Sequence, residues 1–115
     1  MAFYTVIGFA KNKDNADSPF IYVHGMCGWG EGSPQEEKRP YWGTQPENNV
    51  MNYLRSQGYT VYNPPVGGYS SAWDRACELF AQLTGTVVDY GAAHSNECGH
   101  ERYGRDYTSR ATMGK

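Results

Sequence analysis

After Pro19 the chain reads Phe-Ile-Tyr-Val and then His24-Gly-Met-Cys-Gly-Trp-Gly-Glu-Gly32. Four consecutive aromatic and β-branched residues at 20–23 suit a short strand buried on both faces, as the central strands of a parallel sheet are. The run stops abruptly in a segment where Gly25, Gly28, Gly30 and Gly32 let the backbone turn and come close to a ligand. In open parallel sheets ligands bind beyond the carboxyl ends of the strands. A ligand-facing loop is therefore expected at 24–32.

The flanking sequence supplies an α/β order. Residues 2–10 could form a strand, with poor alternation, and the polar 11–18 reads as an exposed connection or extension. Residues 33–39 read as a polar surface excursion. Thr44-Gln-Pro-Glu47 has the T-x-x-E form of a capping box with a proline near the first helical position, so a helix is expected from Thr44. Val50, Met51, Tyr53 and Leu54 give that helix an apolar stripe and Gly58 stops it. A strand at 59–62 ends in Asn63-Pro64-Pro65, and Gly67-Gly68 make a second flexible turn at a strand's carboxyl end. Trp73, Ala76, Cys77, Phe80 and Leu83 recur at helical spacing, with Ser70 or Ser71 to cap the helix and Gly85 to close it. Strand, helix, strand, helix implies parallel strands joined by crossovers. Residues 86–107 show no sustained period and read as a long loop or inserted subdomain, and loops of that length are usually functional.

Composition removes several classes of function. A net charge of −2 over 115 residues leaves no electrostatic footprint for nucleic acid or an anionic membrane. Ten tyrosines and three tryptophans without a basic groove read as core and pocket walls, not base-stacking platforms. Cys27, Cys77 and Cys98 are too few and too widely spaced for a disulfide framework, and none sits in a C-x-x-C. No apolar run reaches the ~18 residues of a membrane span. Residues 2–10 lack the basic start of a secretory signal, which leaves the compartment undetermined.

Two constellations carry chemistry. His24-Gly25-Met26 admits a phosphate loop, a metal or catalytic histidine, or an oxyanion loop. The first needs a helix directly after the glycines, whereas 33–40 follow with Pro34 and Pro40 interrupting. The second has no partner nearby in sequence. In the third, the amide after His-Gly points to where negative charge develops on an acyl oxygen, a donor worth ~3 to 4 kcal/mol of barrier in the best-measured case. The nucleophile such a site needs, a Gly-x-Ser-x-Gly elbow, is absent from the sequence. The second constellation is Asp74, His94 and His100, zinc-type ligands with His94-x5-His100 in one loop. Against that, Ser71-x-x-Asp74 is itself a capping pattern and an acid in a first turn favours the helix dipole.

The blocks Phe20-Ile-Tyr-Val-His-Gly-Met-Cys-Gly-Trp-Gly, Tyr41-Trp42-Gly43, Tyr69-Ser-Ser-Ala-Trp-Asp-Arg-Ala-Cys-Glu-Leu-Phe-Ala-Gln-Leu, Val88-Asp-Tyr-Gly-Ala-Ala-His-Ser and Gly99-His-Glu-Arg-Tyr-Gly-Arg-Asp-Tyr together resemble the amino-terminal portion of secreted bacterial triacylglycerol lipases. The similarity is to the zinc-containing Bacillus-type, staphylococcal and clostridial groups, and runs from about Pro19 to the end. It implies an α/β-hydrolase fold that cleaves carboxylic esters through an acyl-enzyme. It assigns the Met26 backbone amide to the oxyanion hole, at a position where the Bacillus-type relatives carry phenylalanine. It also makes Asp74, His94 and His100 three of four zinc ligands, with no counterpart here to the fourth, and it puts Trp73, Tyr41 and Trp42 near the ion.

In such lipases the nucleophile, acid and base follow a segment like 107–115. The expectation is therefore a partial α/β-hydrolase fold cut before the nucleophile elbow: an extension at 1–18, a lipase part at 19–115, and a metal-binding region at about 86–107. Such a chain is an ester hydrolase by descent, inactive by itself, and prone to self-association through an uncovered sheet edge. The competing reading is a stand-alone zinc-binding or interaction module derived from a lipase; a third is a chain completed by a separate polypeptide.

Overall fold

The computed structural model describes residues 18–109; the strand expected within 2–10 lies outside them. The elements are β1 (Phe20–Ile21), α1 (Pro34–Lys38), a 3-10 turn (Pro46–Asn48), α2 (Val50–Ser56), β2 (Val61–Tyr62), α3 (Ala72–Thr84), β3 (Val87–Asp89), α4 (Ala92–Cys98) and β4 (Tyr103–Asp106). β1 and β2 pair in parallel, Phe20 opposite Val61 and Ile21 opposite Tyr62, with helices in the connection as the strand-helix order requires. β3 and β4 pair antiparallel in a sheet of their own. The architecture is mixed α/β.

The core under β2 is Met51, Tyr59 and Val61, with Tyr22, Trp42 and Leu54 packed against it. Here the apolar stripe of α2 faces inward as its spacing implied. The helix begins later than Thr44, however. Gln45 N–H donates to Asn48 Oδ1 at 2.9 Å across the 3-10 turn, and Asn49 caps α2 by accepting the Asn52 amide at 3.0 Å. Both asparagines are short acceptors that compete well for orphan amides. The end is as expected: Gly58, at φ 83°, turns the chain so that its amide and that of Tyr59 bond back to Arg55 and Leu54.

One further expectation needs correction, and two others are made specific. Residues 20–23 are not buried on both faces: Phe20 and Val23 are exposed, and only two residues of the run are in β1. Residues 33–39 lie on the surface as expected and hold the short helix α1, which buries none of its residues; Ser33 caps it and Pro34 occupies the first turn, where a missing N–H costs nothing. Of the two readings of residues 86–107, a loop or a small inserted unit, the second describes the fold better: they hold β3–α4–β4, too short in each part to show a period.

The helix α3 holds the larger surprise. Ser71 caps it by accepting the Asp74 amide at 3.1 Å and Gly85 ends it in the left-handed region, as the sequence indicated. Its apolar stripe nevertheless points outward, Trp73 57 % and Phe80 64 % exposed. The opposite face is polar and grips the rest of the fold. Arg75 Nη2 donates to the His24 carbonyl, Glu78 accepts the Gly67 amide at 2.8 Å, and Gln82 Nε2 donates to the Pro65 carbonyl at 2.6 Å. Spaced by three and four residues, these side chains lie on one line of the helix. They hold the loops that leave both parallel strands.

Candidate active site and metal centre

Residues 24–30 are fixed from several sides. His24 is buried, and its Nε2 accepts the Val66 amide at 3.1 Å, which needs a lone pair there. The ring proton therefore sits on Nδ1, 2.9 Å from the Gly25 carbonyl. Both ring nitrogens are thus engaged in structure, and His24 acts as a bracket between the loops after β1 and β2. Gly28 lies against that ring: a Cβ there would come within 2.7 Å of it. Gly30 passes so near the second loop that a Cβ would meet the Asn63 carbonyl oxygen at 2.5 Å.

Three amides of the loop are bonded within the fold. Gly25 N–H donates to Tyr41 Oη at 3.1 Å, Cys27 N–H to Gly68 O at 2.9 Å, and Gly28 N–H to Gly25 O at 3.1 Å. The Met26 N–H, like those of His24, Trp29 and Gly30, has no acceptor among the described residues. Its side chain is 79 % exposed, so the amide lies on an open turn at the carboxyl end of β1. Cys27 beside it is held at φ 61°, unusual for a residue with a side chain.

The second cluster forms where α3 meets the β3–α4–β4 unit. The short helix α4 carries His94, and the left-handed Gly99 then turns the chain so that His100 folds back over the helix end, its amide bonded to Ser95 O at 3.1 Å. Asp74, in the first turn of α3, meets both rings: Oδ1 is 2.9 Å from His94 Nε2 and 3.4 Å from His100 Nε2. Ligand atoms on a tetrahedral zinc with ~2.0–2.1 Å bonds stand about 3.3 Å apart, so this donor set fits such an ion in both chemistry and spacing. Burial pushes the Asp74 carboxyl up. Hydrogen bonds with Ser71 and His94 and the charges of His100 and His94 outweigh it and hold the group below its ordinary value.

Trp73 closes one side of this cluster, its ring 5.6 Å from that of His94 and its Nε1 donating to Tyr90 O at 2.8 Å. Tyr90 packs edge-on against His100 and donates to Glu78 Oε1 at 3.1 Å. Burial first, then the Glu78 charge and hydrogen bond, push its phenol up to about 12. Tyr41 and Trp42 are not part of this group. They stack on His24, Trp29 and Tyr22 beside the first loop, because Trp42 belongs to the β2 core and donates to the buried Asn63 at 3.1 Å.

The cluster has a member that the sequence reading passed over. Cys98 lies with His94 and His100 in a group whose donor atoms are all within 4.8 Å of one another and could hold a metal ion. The signal was present in the sequence as His94-x3-Cys98, an i, i+4 pair on one helix face. Arg75, Glu78 and Gln82 were equally legible as the polar line opposite the α3 stripe.

The family model described as "Lipase-like, C-terminal domain" matches residues 15–113. The chain belongs to this lipase-like family. A lipase from Staphylococcus hyicus is 46% identical over 98 residues, 84% of this chain and 14% of the relative. The crystal structure of Staphylococcus hyicus lipase superposes with a TM-score of 0.73 at 41% identity, covering 90% of this chain and 26% of that one. Lipase 1 from Pelosinus fermentans gives 0.70 at 45% identity, covering 83% and 23%. The lipase-like chain thus spans about one seventh of the length of the first of these relatives.

Proposed function

We propose that this chain is the oxyanion-side part of a carboxylic ester hydrolase of the α/β-hydrolase type, with lipid or ester substrates. The observation that carries this reading is the Met26 amide, which has no acceptor among the described residues and lies on an exposed turn at the carboxyl end of a parallel strand, between Gly25 and Cys27 whose amides are bonded. A fixed backbone N–H of this kind stabilises the oxyanion of a tetrahedral acyl intermediate without reorganising. His24, Tyr41 and Arg75 keep its neighbours still. The 115 residues contain no Gly-x-Ser-x-Gly, and alone they turn over no ester.

Zinc fits Asp74, His94 and His100, and when bound it would act as a structural tie between α3 and the β3–α4–β4 unit. The exposed aromatics of α3 and the edges of β1 and β2 that are unpaired among the described residues favour self-association of the isolated chain. The alternative, a stand-alone zinc-binding module, draws on the same cluster but leaves the Met26 amide without a role.

The test replaces the matching segment of Staphylococcus hyicus lipase by residues 15–113 and follows p-nitrophenyl ester hydrolysis. Turnover is expected from the chimera and none from the chain alone. Met26→Phe is expected to retain activity, since the donor is backbone. Met26→Pro, which deletes the donor, is expected to lower kcat by ~10²–10³-fold, the loss seen for one oxyanion donor. Hydrolysis by the 115-residue chain, or an unaffected proline variant, would refute the assignment.

A further inference from the structure

The cluster at the end of α4 holds more donors than the Asp74, His94 and His100 set uses. Its two sides are presented by one ring. His94 Nε2 faces Asp74 at 2.9 Å, while His94 Nδ1 faces Cys98 Sγ at 3.8 Å. A single ion bonds one nitrogen of an imidazole, so the ring offers a carboxylate site on one edge and a sulfur site on the other. His94, Cys98 and His100 each offer a donor atom, and these atoms all lie within 4.8 Å of one another. For tetrahedral zinc, with Zn–S ~2.3 Å and Zn–N ~2.0–2.1 Å, nitrogen and sulfur stand about 3.5 Å apart. The His94 Nδ1–Cys98 Sγ pair exceeds that by a few tenths of an ångström, and the His100 donor, within 4.8 Å of both residues, closes on the ion by a side-chain adjustment.

The local fold explains the convergence. His94 and Cys98 are one helical turn apart in α4, and Gly99 at φ 71° reverses the chain so that His100 returns to the same end. Three donors thus come from seven consecutive residues and need nothing from α3. Cys98 is exposed and forms no disulfide, which leaves its sulfur free to react with an ion from solvent.

We propose that Cys98 is a metal ligand, which with His94 and His100 forms a sulfur-containing site for a thiophilic divalent cation, zinc or cadmium. On binding, the Cys98 thiol loses its proton to solvent and a sulfur–metal bond forms; no oxidation state changes. Thiolate donors select such cations over hard ones such as magnesium or calcium. The proposal rests on the metal-binding part of the function given above and changes which residues carry it.

The experiment uses cobalt(II) as a spectroscopic stand-in and cadmium as the thiophilic ion, with the 115-residue chain, Cys98→Ser and Asp74→Asn. The unmodified chain is expected to show a sulfur-to-cobalt charge-transfer band in the near ultraviolet. Asp74→Asn should keep this band and Cys98→Ser lose it. Cadmium affinity, measured by chelator competition, should fall in Cys98→Ser by at least ~10-fold, the lower end of the loss caused by removing even an outer-shell partner. A measurement that needs no variant is alkylation mapped by mass spectrometry. Cadmium should protect Cys98 from iodoacetamide and leave the exposed Cys27 reactive. Metal binding without the band or the protection overturns the role of Cys98 and leaves the Asp74 set standing. Absence of any cobalt or cadmium binding overturns both.

Discussion

His24 is the side chain on which the geometry of the first loop most depends, and its worth can be worked out bond by bond. Leucine at this position keeps apolar bulk but removes both ring hydrogen bonds. The Val66 amide loses its acceptor at a buried position, a loss of ~1–3 kcal/mol. The Gly25 carbonyl loses less, because it still accepts the Gly28 amide at 3.1 Å; a typical net bond of about 0.5–1 kcal/mol is the appropriate figure there. His24→Leu should therefore destabilise the chain by about 2–4 kcal/mol. His24→Gln separates the two contributions. Its Oε1 can reach the place of Nε2 and accept from Val66, so it should recover about 1–2 kcal/mol of the loss. Urea denaturation followed by tryptophan fluorescence, with midpoint and slope both fitted, gives the three stabilities. A leucine variant within ~0.5 kcal/mol of the parent, the range of surface changes, would show that the bracket is not structural. So would a glutamine variant no better than leucine.

Two further outcomes follow from contacts of the same kind. Gly30→Ala places a Cβ against backbone atoms, the Asn63 oxygen at 2.5 Å and the Pro65 nitrogen at 2.7 Å. Neither can rotate away, so the loop must shift, and a loss of ~1–3 kcal/mol is expected in the same denaturation assay. Asp89 accepts Arg102 Nε and Nη2, both at 2.9 Å, which with the Gly91 amide brings its carboxyl down to about 2. Its unfolded value is near 3.9, so the pair's contribution is complete above about pH 4 and is lost as pH falls through about 2. Denaturation midpoints measured across that interval should decline less steeply for Asp89→Asn than for the parent.

Much of the site could be read in the sequence because it depends on short-range chemistry. Glycines at 25, 28 and 30 announced a loop able to make close approaches, and Gly28 packs against the His24 side chain while Gly30 packs against the backbone at 63–65. Ser71 and Gly85 bound α3 because a hydroxyl cap and a left-handed terminus are local devices. Asp74, His94 and His100 come together although twenty residues separate the first two. What escaped was set by competition or by tertiary context. Thr44 lost the helix start to Asn49, a neighbouring acceptor of equal quality. The β3–α4–β4 unit is built from elements of three, seven and four residues, each shorter than the window over which a period can be recognised. The role of Tyr41 is fixed by partners sixteen residues upstream, beside His24, and no spacing rule reports that.

The orientation of α3 shows most clearly how periodicity can be right about a face and wrong about its direction. Spacing identified the stripe Trp73, Ala76, Cys77, Phe80 and Leu83, which would face the core because burial of apolar area is the usual reason for such a stripe; Cys77 and Leu83 are half-buried, but the two aromatics are not. In the fold the opposite line does the holding. Arg75, Glu78 and Gln82 each bond a backbone group of the loops after β1 and β2, and these groups would otherwise need other partners. The polar line therefore satisfies main-chain donors and acceptors at the mouth of the site, a task the apolar line could not perform. Meanwhile Trp73 and Phe80 remain on the surface, next to a cluster whose histidine Trp73 stacks upon. The same helix thus turns three faces to three tasks. Asp74 serves the histidines, Arg75 and its companions hold the loops after β1 and β2, and Trp73 and Phe80 stay exposed on the surface. Residues 74 and 75, adjacent in sequence, reach two sites, so a force that draws Asp74 toward the histidines also acts on the arginine that steadies the His24 carbonyl.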